Sequence, residues 1–163
     1  MFFDAKAVED KYVAAVHTND HINLIKAISS QTSRKRNRVA AEYDSIYFNE
    51  GSSESAYLAA GSVLKVRGSD TCFVVAEKVA KGELNSAFAI VRPPGHHAEE
   101  NEPMEFCLFN NVAIATSFLL NQKVKVLCLS VLLICKLGLN KILIVDWDVH
   151  HGNCTQKMFW KDS

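Results

Sequence analysis

The sequence predicts an α/β fold in which a parallel sheet has helices on both faces. Two short apolar segments, residues 87–91 (AFAIV) and 142–145 (ILIV), have the composition of buried strands. Helix-like segments precede and separate them, and this alternation is typical of a parallel sheet. Each apolar segment runs directly into polar residues that can bind metal or carry protons. Because ligands of open parallel sheets lie beyond the carboxyl ends of the strands, we expect one site at that edge.

The composition is that of a globular domain with one core. The 163 residues are 48% hydrophobic, and 18 basic residues balance 18 acidic ones. Because no net charge attracts polyanions, we expect no direct nucleic-acid partner and no membrane partner. The five cysteines are an odd set without a Cys-x-x-Cys pair, and the chain does not open with a basic segment followed by an apolar one. A reducing, intracellular setting is therefore expected.

The first expected helix begins at two good N-cap residues, Asn19 and Asp20. Ile22, Ile25 and Ile28 follow at a three-residue spacing, which places them on one face of a helix. We therefore expect this face to pack inward.

The next segments differ in their expected burial. The basic run at residues 34–38 (RKRNR) is interpreted as a solvated loop, with a nuclear-import signal as the alternative. Residues 54–66 are rich in Ala and Leu and predict a buried helix, in which Gly61 permits close packing. Residues 75–81 predict a helix that ends at Gly82.

The region between the two predicted strands contains one clear helix and one segment that fits poorly. Asn110 or Asn111 is expected to cap a helix through residues 112–120. Residues 126–135 are almost uniformly apolar. A membrane-spanning helix needs about twenty such residues, so spanning is not expected. The segment is too uniform to be placed as a strand by periodicity.

The second polar cluster has the residue types of a metal site. Asp146, Asp148 and His150 are spaced two apart, so in an extended segment they project to one side. Imidazole and carboxylate ligands suit zinc, with iron or manganese as competitors. Asp146 lies nearer the predicted strand and is better placed to support a ligand than to be one. Catalytic zinc generally takes three protein ligands, so a third must come from elsewhere.

The first polar cluster supplies proton carriers. Residues 93–95 (PPG) favour an extended exit from the strand and then a tight turn. His96 and His97 follow at once, and neighbouring histidines on such a turn are better proton carriers than a pair of zinc ligands. A carboxylate bonded to the far nitrogen can tune each of them. Asp146 is the natural partner for one of the two.

Three segments resemble the zinc-dependent histone deacetylase family: residues 92–98 (RPPGHHA), 106–113 (FCLFNNVA) and 145–153 (VDWDVHHGN). The form of the first and third segments is similar to the class II branch. The resemblance implies the arginase/deacetylase-like parallel sheet with helices on both faces. It covers about the first half of the family's catalytic domain, so residues 1–163 are expected to be a partial, truncated histone deacetylase domain.

The resemblance also implies roles for the two clusters. Asp148 and His150 would be zinc ligands. His97 would be the general base that takes a proton from the zinc-bound water and later passes it to the leaving amine. His96, paired with Asp146, would be the second catalytic histidine, which makes Asp146 part of the catalytic group. Asp146, with the backbone carbonyls of Asp148 and His150, would help to hold a structural potassium ion.

Three further residues gain roles from the same resemblance. Asn153 stands where the family has a partner for His97, and His151 is expected to lie just behind the metal ligands. Phe106 would be one aromatic wall of the tunnel that holds the acetyl-lysine side chain.

The sequence also departs from the family pattern. Up to Ser163 it contains neither the family's third zinc ligand, an aspartate, nor its transition-state tyrosine. Glu105 and Cys154 occupy positions where the family has glycine, and Glu105 is expected to crowd or repel substrate. Residues 67–74 and 124–135 look inserted.

The expected function is zinc-dependent hydrolysis of acetyl-lysine amides, with this chain as an incomplete or inactive form. Acetylated histones or other protein lysines would be substrates, corepressor proteins would be partners, and the nucleus, the cytoplasm or both would be the location. One alternative is a non-catalytic truncated isoform that acts by partner binding. Another is an enzyme similar to the acetylpolyamine amidohydrolases.

Overall fold

The computed structural model describes residues 5–64, 79, 82–121, 127–128, 133–134 and 142–160. The helices whose bounds lie in this part of the chain are α1 (Asp10–Val13), α2 (Asn19–Ile28), α3 (Ser33–Ala40), α4 (Ser52–Leu64), α5 (Asn111–Asn121) and α6 (Asn153–Phe159). Two short strands, β1 (Leu127–Cys128) and β2 (Leu133–Ile134), pair in antiparallel orientation. None of the described helices is long and apolar enough to cross a bilayer.

Helix α2 confirms the predicted inward face but not the predicted cap. Ile22, Ile25 and Ile28 are all buried. The N-cap is Thr18, whose hydroxyl accepts a hydrogen bond from the backbone N–H of His21. Asn19 is therefore the first helical residue rather than the cap. Since Thr is itself a good cap residue, the helix begins where the first suitable side chain occurs.

Helix α3 corrects the interpretation of residues 34–38 as a solvated loop. The run lies within this helix, which Thr32 caps by accepting from the backbone N–H of Lys35. Arg36 is buried and donates to the carbonyl of Ser29, the C-cap of α2, and to that of Gln31 in the turn that follows. One arginine of the run thus satisfies carbonyl groups of the turn between α2 and α3.

Helix α4 packs closely on the chain that precedes α1, as Gly61 suggested. A Cβ at Gly61 would lie 1.8 Å from the Lys6 carbonyl oxygen and 2.7 Å from the Val8 nitrogen. The Val8 N–H donates to the Tyr57 carbonyl over 3.0 Å. Glycine is therefore needed at position 61 for the close approach of these two backbones.

Helix α5 is the centre of the core. It packs mainly against α4, with further contacts to α1 and α6. Asn110 is its cap, because the Asn110 Oδ1 accepts from the backbone N–H of Ala113 over 2.9 Å. The largest fully buried side chains around it are Phe48, Phe109, Ile25, Ile28, Leu64, Ile114 and Leu119. This core holds the segment that precedes α5, where the first histidine cluster lies.

The parallel sheet stays a prediction. Within the described residues, segments 87–91 and 142–145 do not form strands. Phe88 and Ile90 are 63% and 99% exposed, and Leu143 is 54% exposed, so these apolar segments are only partly buried.

Several predictions fall largely outside the described residues. Of the helix expected over residues 75–81, the structure describes only Val79, which is buried. Gly82, the expected end of this helix, has a left-handed φ of 74°, which is typical of the residue after a helix. Residues 67–74 lie outside the described part. Of residues 126–135, only β1 and β2 are described.

Candidate active site

The two polar clusters meet in space as predicted. The His96 Nδ1–H donates to the Asp146 Oδ2 over 2.8 Å, across 50 residues of sequence. The other carboxylate oxygen of Asp146 accepts from the backbone N–H of Asp148 over 3.1 Å. Asp146 therefore joins the tandem histidines to the segment that carries the expected metal ligands. Of the two histidines, His96 is the one that pairs with Asp146.

The second histidine has an amide partner. His97 is buried, and its Nδ1–H donates to the Asn153 Oδ1 over 2.7 Å. The orientation of the Asn153 side-chain amide is fixed through its nitrogen, because the Asn153 Nδ2 donates to the Glu99 Oε1 over 3.1 Å. Lys157 donates to the same Glu99 oxygen over 2.6 Å. This relay places the hydrogen of His97 on Nδ1 and leaves Nε2 to face the site.

Glu105 lies at the Nε2 of His97, the ring nitrogen that Asn153 does not contact. Its Oε2 is 3.2 Å from the His97 Nε2. Glu105 and Phe106 have φ angles of 43° and 63°, the left-handed region that favours glycine. The backbone N–H groups of both donate to carbonyls of residues 44–45, over 2.9 and 3.1 Å. Phe106 is 63% exposed beside the site.

Asp148 and His150 contact each other. The His150 Nδ1 lies 2.8 Å from the Asp148 Oδ1, and the backbone N–H of His150 donates to the same oxygen over 2.8 Å. The hydrogen bond from this backbone N–H, followed by that from the ring, lowers the pKa of Asp148 below its ordinary value. Both side chains are accessible to solvent.

This pair fits two positions of a metal site. In a tetrahedral zinc site with bonds of about 2.0–2.2 Å, neighbouring ligand atoms lie roughly 3.3 Å apart. The His150 Nδ1 and the Asp148 Oδ1 are 2.8 Å apart, so the two side chains would need to move apart only slightly to bind an ion in place of the proton that they share. Within the described residues, no group of three or more His, Cys, Asp or Glu side chains is arranged to hold an ion. The described part of the chain therefore supplies two ligand groups of types that zinc accepts.

His151 lies in the same loop but contacts α6. Its Nε2–H donates to the Gln156 Oε1 over 2.6 Å, and the ring is exposed. The expectation that it supports the metal ligands stays a prediction.

A buried histidine beneath the site was not found from the sequence. The His17 Nδ1–H donates to the Glu99 carbonyl over 2.8 Å, and its Nε2 accepts from the backbone N–H of Asn110 over 2.9 Å. Burial, with a smaller contribution from neighbouring His21, lowers the pKa of His17 to about 3. The neutral ring therefore joins the Glu99 segment to the start of α5.

Two other contacts support the same loop. The Asn110 Nδ2 donates to the Thr155 hydroxyl over 3.0 Å, and the backbone N–H of Thr155 is 3.4 Å from the His96 carbonyl. A Cβ at Gly95 would lie 2.6 Å from the Asn111 nitrogen and 2.9 Å from the Phe109 carbonyl. Gly95 is thus needed for close backbone approach, rather than only for a tight turn as predicted.

Two buried cysteines near the site are poor metal ligands. Burial raises the pKa of the Cys107 thiol to about 11 and that of the Cys154 thiol to about 12. Since the thiolate is the form that binds metal, both groups act as small core side chains at neutral pH.

Comparisons with known proteins agree on one family. A sequence profile described as the histone deacetylase domain matches residues 1–163. Histone deacetylase 5 of Arabidopsis thaliana is 61% identical over 155 residues, which cover 94% of this chain and 20% of that protein. Histone deacetylase 18 of the same plant is 59% identical over 156 residues, which cover 95% of this chain and 20% of that protein.

A solved structure, a crystal structure of the HDA15 HD domain, superposes with a TM-score of 0.70 at 32% identity. That match covers 99% of this chain and 37% of the solved chain. The chain spans about one fifth of the length of the two plant relatives.

Proposed function

The chain belongs to the histone deacetylase family, and from that premise we propose that it carries the proton-transfer histidines and two metal ligands of a zinc-dependent lysine deacetylase. The supporting observation is the arrangement of the tandem histidines. The two rings lie 4.1 Å apart between centroids, and the Nδ1 of each donates to a different side chain. The HDA15 HD domain supports the arginase/deacetylase fold for this chain.

His97 is proposed to move the proton. Its Nδ1 is occupied by Asn153, so Nε2 is the atom that can exchange a proton with a reacting group. The partner of His96 is a carboxylate, whereas that of His97 is a neutral amide. The two neighbouring rings therefore lie in different electrostatic environments, which suits a division of roles between them.

Asp148 and His150 are proposed to hold zinc. When bound, zinc supplies polarisation of the acetyl carbonyl and lowers the pKa of its bound water toward neutrality. Asp146 would keep the ligand segment in place through its bond to the Asp148 N–H. Asp146, with the backbone carbonyls of Asp148 and His150, is also the proposed site for potassium.

The proposed substrate is an acetylated lysine of a histone or another protein. Phe106 is exposed and follows Glu105, which contacts His97, and its aromatic face is proposed to contact the aliphatic part of a lysine side chain. Corepressor proteins are the proposed partners, and the nucleus, the cytoplasm or both the proposed location. The class II branch is the proposed subgroup.

The metal part of this proposal is tested by a chimera. Residues 142–160 replace the matching segment of the Arabidopsis thaliana relative that is 61% identical. We expect the chimera to hydrolyse an acetyl-lysine peptide in a zinc-dependent manner, and His150→Ala to abolish this activity. Trp160→Ala is the matched control, since Trp160 is exposed at the end of α6 and has no role in the site. An unchanged rate in His150→Ala would overturn the assignment.

A further inference from the structure

Both ring nitrogens of His97 are occupied by side chains of this chain. Asn153 accepts from Nδ1, and the carboxylate of Glu105 lies 3.2 Å from Nε2. We propose that Glu105 covers the Nε2 of His97 and competes with substrate for the site, as a built-in block. This inference rests on the proposed role of His97 as the proton carrier.

The distance leaves no space for a reacting water. A water that bridges two polar atoms needs a hydrogen bond of about 2.8 Å to each, so a bridged pair lies roughly 5 Å apart. At 3.2 Å, the Glu105 carboxylate and His97 are in direct contact. A water or an acetyl group can therefore reach the Nε2 only after the carboxylate has moved.

The backbone holds Glu105 against His97. The left-handed φ of 43° at Glu105 is one that glycine adopts freely and other residues adopt rarely. The N–H groups of Glu105 and Phe106 are nevertheless bonded to the Asp44 and Ser45 carbonyls, and residues 104 and 107 pair across the turn. The turn is thus fixed, and the Glu105 side chain starts from a defined position next to the ring.

The block is reversible. The Glu105 side chain is 33% exposed, so it can rotate into solvent without unfolding the turn. The acetyl group of a substrate has to occupy the space that the carboxylate takes up at the Nε2 of His97. Substrate and the Glu105 side chain therefore compete for the same position.

The test measures access to His97 without metal or substrate. The 163-residue chain is treated with diethylpyrocarbonate, which acylates accessible imidazole nitrogens, and each histidine is quantified by peptide mass spectrometry. We expect His97 to react several-fold faster in Glu105→Gly than in the parent, relative to exposed His151 as the internal reference. Glu102→Gln removes an exposed carboxylate from the same loop and should leave the His97 rate unchanged.

Glu105→Gln separates charge from size and keeps the test valid if the glycine variant folds differently. Partial exposure of His97 in this variant, between the parent and Glu105→Gly, agrees with the proposal. Equal His97 rates in the parent, Glu105→Gly and Glu105→Gln would overturn it. Because no hydrolysis is measured, a failed deacetylase assay would leave this result intact and would count against the proposed function alone.

Discussion

The Asn153 Oδ1 accepts a hydrogen bond from the His97 Nδ1 over 2.7 Å, although the two residues are 56 positions apart in sequence. Asn153 is the first residue of α6, and His97 lies in the turn before α5. The contact therefore ties the two polar clusters together through a helix end.

Zinc binding by the 163-residue chain should be weak. Asp148 and His150 supply two ligands, and an ion held by two protein groups stays more open to water. We expect equilibrium dialysis to show low affinity, and His150→Ala to reduce it further. Trp160→Ala, a change at the exposed end of α6, should bind as the parent does. Tight stoichiometric binding that survives His150→Ala would show that the ligands lie elsewhere.

The stability of the helical core should fall with acid because His17 is buried in its neutral form. The pKa of His17 is about 3 in the folded chain, against 6.5 for an ordinary histidine side chain. Between these pH values the unfolded chain binds a proton at this histidine that the folded chain does not. The contribution of His17 to the free energy of unfolding is therefore fully present above about pH 6.5 and is lost as the pH falls toward 3. The full effect is on the order of a few kcal/mol.

The check on His17 is denaturant unfolding followed by circular dichroism between pH 4 and 7. His17→Gln should be less stable at pH 7 by about 1–3 kcal/mol, because the Asn110 N–H and the Glu99 carbonyl lose their partner, and should show a shallower pH dependence. His151→Gln should keep the slope of the parent. An equally steep slope in His17→Gln would refute the role given to this histidine.

Gly61→Ala should strongly destabilise the chain. The added methyl would lie 1.8 Å from a backbone oxygen, so α4 would have to move away from the segment before α1. The expected loss is about 1–3 kcal/mol or more. Gly51→Ala is the matched control, since the added methyl would lie 3.5 Å from the Asn49 Oδ1, an ordinary van der Waals distance. Equal unfolding midpoints for the two variants would contradict this packing.

The apolar segment at residues 124–135 should reduce solubility. Its composition favours β-structure and carries little charge, which promotes association. Exposed apolar side chains such as Ile90 and Val149, at 99% and 91%, add to this tendency. We expect deletion of residues 124–135 to raise the monomer fraction in analytical ultracentrifugation. A cooperative, monomeric transition of the whole chain that the deletion does not change would disprove this.

Local patterns in the sequence predicted the parts of the structure that depend on neighbouring residues. The inward face at Ile22, Ile25 and Ile28 follows from helical spacing alone. Side-chain chemistry predicts that Asn110 or Asn111 caps α5, and the structure selects Asn110. The interpretation of residues 34–38 as a solvated loop was wrong because the burial of Arg36 depends on carbonyl groups of the turn after α2, which composition does not reveal.

In the candidate site, too, some contacts could be predicted from residue types and others could not. Residue types and strand ends predicted that Asp146 pairs with one of the two histidines, and the resemblance to the family implied that this is His96. The contact of His17 with the Glu99 carbonyl spans 82 residues, and no periodic pattern in either segment indicates it. Glu105 was recognised as a departure from the family pattern, and its contact with His97 became visible only once the turn was placed.

The most direct test of the account is the hydrolysis rate of a chimera that carries residues 82–121 in place of the matching segment of the 61% identical relative. We expect low activity on an acetyl-lysine peptide with Glu105 present and a clear gain with Glu105→Gly. His97→Ala in the Glu105→Gly chimera should lower the rate by about 10²–10⁴, the usual contribution of a positioned proton carrier. Full activity after His97→Ala, or no activity in the Glu105→Gly chimera while the relative itself is active, would contradict the account.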